Sequence, residues 1–328
     1  MRSFTMILAV AVAALGAWRW FDESPSSASP RAPSALTAPA SFVECDAVGP
    51  GRPQACTLRF ESAALGETAR VRVLLPPRWR EKKNLKTLYF LHGRGSAMGE
   101  GRPSMIEELG FAQDLGKSAD TGWMIAAPQD ARGNDYWMNG VGHSRRWSDF
   151  LSTELIAGVE AHFPADPRPC SRLIAGISMG AYGAFYQAYH HPDLYAGAAA
   201  HSPLFRFTAE EVRLNPQDPP VFGLTTDELE RTLLTRSYAR AGAGFRKPLW
   251  IDIGDHDELA VRTYTRTFSF LNSLRALEPQ AVIRIFSGPG ENHAMSYWLR
   301  HKARYLGWYE ERFAEGCLPA PRTSGHDH

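Results

Sequence analysis

A single stretch, residues 171–184, limits the possible folds of this chain more than any other part of the sequence. A short apolar run leads into Gly176-Ile177-Ser178-Met179-Gly180, and small and aromatic residues at helical spacing follow. This order predicts a strand, a sharp turn and a helix. In a G-x-S-x-G turn the glycines allow close backbone approach while the serine hydroxyl projects outward. Ser178 is therefore a candidate nucleophile, the alternative being an ordinary glycine-rich loop.

Strand and helix patterns alternate along most of the chain. Residues 55–61 and 69–75 alternate apolar and polar side chains, which predicts an antiparallel pair at one edge of a sheet. Short apolar strands and amphipathic helices then follow one another. The pattern predicts an α/β fold, with a mainly parallel central sheet covered by helices on both faces. Residues 203–247 interrupt the rhythm with prolines and short helical pieces, and we interpret them as a small helical cap.

Helix starts are also predicted from local signals. Residues 104–117 carry apolar residues at helical spacing, and Ser148 is a candidate N-cap for a helix that extends to His162.

The two ends of the chain differ in composition from its middle. Residues 1–22 contain Arg2 and an apolar run that suits a secretory signal peptide, although bulky residues and the lack of an A-x-A site also fit an uncleaved membrane anchor. Residues 23–42 are rich in Ser, Pro and Ala, which predicts a flexible linker. Residues 43–318 form the expected folded domain, and 319–328 a disordered tail. A secreted, periplasmic or membrane-anchored protein outside the cytoplasm is expected.

The balance of charges excludes one class of partner. The chain has 328 residues and a formal net charge of +1, and its lysines and arginines are scattered. No basic patch suited to nucleic acid is present in the sequence.

A serine nucleophile needs a base and an acid, and two later loops can supply them. In a parallel sheet the functional loops follow the carboxyl ends of the strands. Residues 254–257 and 287–293 are loops of this kind, and they give the order Ser, Asp, His that is expected for an α/β-hydrolase. His293 is the predicted base.

Three aspartates compete for the role of the acid. Asp257 is preferred over Asp255, because it falls further into the loop and can turn back toward a neighbouring strand. Asp252 lies within the strand and is expected to be a buried, hydrogen-bonded group. Among the other histidines, His201 follows a strand and could line the pocket, whereas His301 is expected on the surface.

An oxyanion formed at Ser178 needs two backbone donors. The amide of Met179 at the start of the helix is one, and the amide of Arg94, in the glycine-rich loop after a buried strand, is the other. Further residues at this end of the sheet are candidates for substrate binding: His92, Tyr136, Trp137, Trp147 and His201.

These motifs together resemble the esterase D type of α/β-hydrolase, a group that includes feruloyl and acetylxylan esterases, S-formylglutathione hydrolases and mycolyltransferases. The matching residues are Leu91-His92-Gly93, Tyr136-Trp137, residues 176–184, His191-Pro192-Asp193-Leu194, Gly254 with Asp257, and His293 followed by Trp298. The resemblance implies Ser178, Asp257 and His293 as the catalytic triad, in agreement with the topology. Ala181 departs from the group, in which a third glycine is common at this position.

The four cysteines fit an oxidising compartment, where an even number usually pairs. The last helix starts beside His293 at the site end of the sheet and must carry Cys317 to the opposite end, where Cys170 precedes its strand. This topology predicts a Cys170–Cys317 disulfide and leaves Cys45 to pair with Cys56. Four reduced thiols are the alternative.

The sequence thus predicts an exported serine esterase that hydrolyses a carboxylic ester through an acyl-enzyme. Small-molecule and carbohydrate esters are the candidate substrates, and the reaction requires no metal and no organic cofactor. Export disfavours formylglutathione hydrolysis. Two alternatives stay open: an acyltransferase of the mycolyltransferase type, and a non-catalytic binding protein of the cell envelope that keeps the fold.

Overall fold

A computed structural model describes residues 41–49, 51–95, 103–130, 133–235, 247–261, 264–315 and 317. The predicted signal peptide or anchor, nearly all of the linker, and the tail at 319–328 lie outside these residues. Part of the predicted cap, residues 236–246, does so as well.

The described residues form one nine-stranded sheet. Its strands are β1 (Ser41–Cys45), β2 (Gln54–Ser62), β3 (Glu67–Leu75), β4 (Lys86–Leu91), β5 (Trp123–Pro128), β6 (Arg172–Ile177), β7 (Gly197–His201), β8 (Leu249–Gly254) and β9 (Val282–Phe286). The spatial order is β1-β2-β3-β5-β4-β6-β7-β8-β9. Strands β1, β2 and β3 run antiparallel at one edge, and β5 onward in this order is parallel. The predicted mainly parallel sheet is confirmed.

Helices connect the strands. In the described residues they are α1 (Met105–Glu108), α2 (Phe111–Leu115), α3 (Trp147–Asp149), α4 (Leu155–His162), α5 (Met179–His190), α6 (Ala209–Arg213), α7 (Pro219–Phe222), α8 (Thr226–Thr232), α9 (Glu258–Val261), α10 (Tyr264–Leu277) and α11 (Met295–Glu315). A π-helical turn, Phe150–Glu154, joins α3 to α4, and 3₁₀ turns occupy Trp79–Glu81 and Pro169–Ser171.

Helices cover both faces of the sheet. Side chains alternate between the two faces along each strand, so one strand contributes to two cores. On β4, Leu88 and Phe90 enter one core, which α1, α2 and α11 complete. Tyr89 and Leu91 enter the other core, together with residues of α4, α5 and α10. The two cores give the layered α/β architecture that the sequence predicts.

Three boundaries differ from the sequence expectations. Strand β1 begins at Ser41, so the folded part starts inside the predicted linker at 23–42. The helix predicted at 104–117 is two short helices, because Gly110 between them takes a left-handed conformation with φ 70°. The helix predicted to start at Ser148 starts at Trp147, and the Ser148 hydroxyl lies 3.2 Å from His191 Nε2.

The cysteines pair as predicted. Cys45 lies opposite Cys56 in the antiparallel register of β1 and β2, and these two residues form one disulfide. The second disulfide joins Cys170, just before β6, to Cys317, just after α11. Two disulfides indicate an oxidising compartment. No helix within the described ranges is both long and apolar enough to span a bilayer.

Strand β4 and the start of α5 approach each other closely. A Cβ atom placed on Gly180 would lie 2.1 Å from the carbonyl oxygen of Leu91 and 2.6 Å from that of His92. A Cβ on Gly176 would lie 2.4 Å from the carbonyl group of Gly180. These contacts are with backbone atoms, so no side-chain rotation can relieve them, and both positions require glycine.

Replacing Gly180 by alanine should therefore destabilise the protein. We expect Gly180→Ala to lower the free energy of unfolding by about 3 kcal/mol or more, because β4 and α5 must move apart. The control is Gly307→Ala on the exposed side of α11, where an added Cβ meets nothing within 4 Å. That change should stabilise by about 0.5 to 1 kcal/mol. Urea unfolding measures both, and equal stability of the two variants would contradict the packing described here.

Loss of the two disulfides should have unequal effects. The Cys170–Cys317 bond spans 147 residues of sequence and the Cys45–Cys56 bond 11. Loop-closure entropy gives up to about 5 kcal/mol for the longer loop and about 3 kcal/mol for the shorter. Urea unfolding of Cys170→Ser/Cys317→Ser and of Cys45→Ser/Cys56→Ser checks this. A smaller loss for the first pair would contradict it.

Candidate active site

Ser178 occupies a strained turn between β6 and α5. Its backbone takes φ 58° and ψ −117°, a combination that residues with a Cβ rarely adopt. The amide of Ser178 donates to the carbonyl of His201 at 2.9 Å, and its carbonyl accepts from the amide of Tyr182 at 3.1 Å. These bonds hold the turn, and the hydroxyl remains reachable from a cavity.

A chain of two hydrogen bonds connects Ser178 to a carboxylate. His293 Nε2 lies 2.7 Å from Ser178 Oγ, and His293 Nδ1 lies 2.8 Å from Asp257 Oδ2. His293 follows β9 and Asp257 follows β8, so three separate strand ends bring these groups together. With the Nδ1 proton donated to Asp257, Nε2 can take the proton of the serine hydroxyl.

The two other candidate aspartates lie elsewhere. Asp255 Oδ1 accepts from Nδ1 of the adjacent His256 at 2.6 Å and from the amide of Gly288, in the loop after β9, at 3.3 Å. The hydrogen bond from His256 lowers the pKa of Asp255. Asp252 is fully buried and accepts from four donors. These are His201 Nδ1, Trp250 Nε1, Tyr297 Oη and Tyr305 Oη.

The two amides expected to bind an oxyanion lie at this end of the sheet. Met179 is the first residue of α5, where amides lack intrahelical partners. Arg94 follows β4 in a loop that His92 supports: the ring lies 2.8 Å from the Gly93 carbonyl through Nδ1 and 3.0 Å from the Asp130 amide through Nε2. Burial lowers the pKa of His92, so the ring is neutral and fits one donated and one accepted bond.

The residues predicted to bind substrate have buried side chains. They are His92, Tyr136, Trp137, Trp147 and His201. Trp137 packs on α5, where a Cβ at Gly183 would lie 2.6 Å from it. His201 is held between Asp252 and the hydroxyl of Tyr309, which lies 2.7 Å from Nε2. None of these five is among the described residues that line the cavity. His301, expected on the surface, is also buried, and its Nε2 lies 2.7 Å from Glu291.

The cavity at Ser178 has a volume of about 410 Å³. Its described lining residues are Arg94, Ser178, Leu204, Arg206, Glu211, Leu214, Asn215, Leu259 and His293. Five of them belong to the segment predicted as a cap, residues 203–247. Sequence reasoning missed these individual residues, because their segment lacks the regular alternation of strand and helix and carries no motif. The described residues contain no group of three or more His, Cys, Asp or Glu side chains suited to a metal ion.

One charge cluster in the cavity wall was also missed. Arg94 Nη2 donates to Asp218 Oδ1 at 2.5 Å, and Arg206 Nε donates to Asp218 Oδ2 at 2.7 Å. The hydroxyl of Tyr136 receives a 2.7 Å bond from Arg94 Nη2, and burial raises the pKa of this tyrosine. Tyr136, predicted to touch substrate, therefore holds a residue that lines the cavity.

Comparison with known proteins places the chain among esterases. Esterase Rv1288 of Mycobacterium tuberculosis is 30% identical over 149 residues, which cover 44% of this chain and 31% of that protein. An acetyl esterase of Caldicellulosiruptor saccharolyticus is 25% identical over 152 residues, covering 44% and 53%. The matched segment thus spans about a third to a half of the length of these relatives.

Solved structures share the fold. A ferulic acid esterase superposes with a TM-score of 0.61 at 20% identity, covering 81% of this chain and all of that one. An S-formylglutathione hydrolase from Agrobacterium tumefaciens gives 0.65 at 15% identity, covering 82% and 98%. FphF, a fluorophosphonate-binding serine hydrolase of Staphylococcus aureus, gives 0.60 at 21% identity, covering 79% and 98%. The predicted α/β-hydrolase fold is confirmed.

The family itself follows from a longer match. Residues 62–311 match the family described as "Putative esterase". This range runs from the end of β2 nearly to the end of α11, and it contains Ser178, Asp257 and His293. The resemblance drawn from the sequence motifs is confirmed, and the chain belongs to this esterase family.

Proposed function

We propose that this protein is a serine esterase that hydrolyses carboxylic esters through an acyl-enzyme. The observation that carries the proposal is the hydrogen-bonded chain from Ser178 Oγ through His293 to Asp257, with distances of 2.7 and 2.8 Å. It opens into a cavity large enough for a small acyl group.

Each residue has a defined part in the reaction. Ser178 Oγ attacks the ester carbonyl carbon while its proton passes to His293 Nε2. The amides of Met179 and Arg94 stabilise the negative charge on the carbonyl oxygen. His293 then gives the proton to the departing alcohol, which leaves an acyl group on Ser178. Asp257 keeps the imidazole oriented and stabilises its charged form.

Water completes the cycle in the same site. A water molecule attacks the acyl carbon as His293 takes its proton, and the second tetrahedral intermediate collapses to release the acid. The proton returns from His293 to Ser178 Oγ, so the enzyme is regenerated. If an alcohol attacked the acyl-enzyme in place of water, the product would be a new ester and the protein would act as an acyltransferase.

Family membership and the fold support ester chemistry for this chain. Its curated relatives are named as esterases, and one of them as an acetyl esterase. A ferulic acid esterase shares the fold. These names make acetyl and feruloyl esters suitable first substrates, and carbohydrate-linked esters of these acids belong to the same proposal. The two disulfides and the apolar run near Arg2 support a location outside the cytoplasm.

Removal of the nucleophile tests the proposal most directly. Ser178→Ala should lower kcat on 4-nitrophenyl acetate by about 10⁴-fold or more, because no covalent intermediate can form. Release of nitrophenolate measures the rate. An unchanged rate in this variant would exclude Ser178 as the nucleophile.

Activity of the unmodified protein on other substrates separates the alternative functions. Absence of activity on acetyl, feruloyl and lipid esters would favour the non-catalytic binding protein. Ester products formed from added sugar alcohols would identify an acyltransferase.

The two loop aspartates provide a matched pair for testing the acid. Asp257→Asn keeps the size of the side chain but not its charge, and kcat should fall by about 10³- to 10⁴-fold. Asp255→Asn, two residues away, should change kcat only a few-fold, because Asp255 bonds to His256 and Gly288. The same nitrophenolate assay applies to both. A larger loss of kcat in Asp255→Asn than in Asp257→Asn would contradict the assignment of the acid to Asp257.

A further inference from the structure

Two arginines belong to the wall of the cavity at Ser178. Arg94 and Arg206, here called the arginine pair, both line this cavity. They come from loops after different strands, Arg94 after β4 and Arg206 after β7. The proposed reaction uses the backbone amide of Arg94 and neither side chain, so the pair needs a separate explanation.

A single buried carboxylate is shared by the arginine pair. Asp218 is fully buried, and each of its oxygens accepts one bond from a guanidinium, at 2.5 Å from Arg94 and 2.7 Å from Arg206. Burial by itself would lower the pKa of Arg206, but nearby Tyr136 and Asp218 raise it, so the guanidinium stays charged. The single carboxylate of Asp218 therefore balances only one of the two positive charges of the arginine pair.

Glu211, the acid among the described residues that line the cavity, is already compensated. Glu211 Oε1 accepts from Arg266 at 2.5 Å, and its Oε2 accepts from the amide of Phe207 at 2.7 Å. In the wall made by the arginine pair, Asp218, Glu211 and Arg266, three guanidinium groups face two carboxylates. One positive charge is in excess among these five described residues, and within a partly enclosed cavity such a charge attracts an anion more strongly than in water.

The arginine pair lies close to Ser178 along two chain segments, where the acyl group of a substrate would be bound. The amide of Leu204 donates to the carbonyl of Ser178 at 3.3 Å, and Arg206 follows two residues later. Arg94 is the residue whose amide would hold the carbonyl oxygen of the ester. Leucines at 204, 214 and 259 line the cavity as well. A short hydrocarbon chain with an anion at its far end fits this mixture of apolar and cationic groups.

From these contacts we propose that the arginine pair selects esters whose acyl group carries a free carboxylate, such as monoesters of short dicarboxylic acids. This inference rests on the proposed esterase activity. A carboxylate supplies the single negative charge that the wall lacks, whereas a phosphate monoester would bring nearly two. Guanidinium groups also match the planar geometry of a carboxylate.

A pair of substrates with equal chain length tests the selection. These are the 4-nitrophenyl monoester of glutaric acid and 4-nitrophenyl pentanoate, which differ in the terminal group. With uncatalysed hydrolysis subtracted, kcat/KM for the glutarate ester should exceed that for the pentanoate at least tenfold. The ratio should fall as sodium chloride is added, since salt screens the attraction. A ratio of one or below in the unmodified protein would overturn the proposal.

Variants identify the groups responsible. Arg206→Gln should reduce the glutarate-to-pentanoate ratio to near one, and Arg206→Lys should retain part of the preference because the charge remains. Labelling of Ser178 by an uncharged fluorophosphonate reports whether the site is intact in each variant. Arg94→Gln should lower the ratio in the same way. The side chain of Arg94 is 23% exposed, and the substitution leaves its backbone amide in place. A ratio unaffected by these substitutions would overturn the proposal.

A third position covers the case in which the buried arginines cannot be replaced without unfolding. Leu214 lines the cavity yet is 70% exposed, so it tolerates charge. Leu214→Glu should lower the glutarate-to-pentanoate ratio and Leu214→Lys should raise it. Equal ratios in the two variants would contradict an anion in this cavity. Failure of the proposed esterase itself is distinct, since neither ester would then be hydrolysed and Ser178→Ala would change nothing.

Discussion

The close contact between β4 and the first turn of α5 is the constraint on which the rest of the site depends. With only hydrogen atoms at positions 176 and 180, α5 can begin directly beside the carbonyls of Leu91 and His92. The same contact places the first amide of the helix next to the loop that carries Arg94. A left-handed backbone at Ser178 follows from this arrangement, because the chain must reverse within one residue to enter the helix. The proposed nucleophile and oxyanion donors are thus positioned by packing of the backbone.

Much of this could be predicted because parallel strands have a direction. Once strands are recognised, every loop after a carboxyl end falls on one edge of the sheet, and Ser178, Asp257 and His293 are brought together without knowledge of the packing. The same reasoning placed Cys170 and Cys317 at the opposite edge, where they pair. This kind of topology depends on the order of strands and helices along the chain, which the hydrophobic periodicity of the sequence predicts well.

Other features depend on information that a strand pattern does not contain. His201 follows a strand as expected, but its side chain bonds to Asp252 and is not among the described residues that line the cavity. The end of a strand does not determine to which side a single side chain turns. The helix after Ser104 breaks at Gly110 because one backbone conformation overrides an amphipathic pattern. Asp218 meets Arg94 across 124 positions of sequence, and only the folded chain reveals such ion pairs.

The disulfide between Cys170 and Cys317 has a consequence for the integrity of the site. All three members of the proposed triad, and the cap segment as well, lie between these two residues in the sequence. A single peptide-bond cleavage anywhere in that interval would leave both pieces covalently joined through the sulfur bridge. After a protease had cut the chain between Ser178 and His293, the bond would keep these two residues in one molecule.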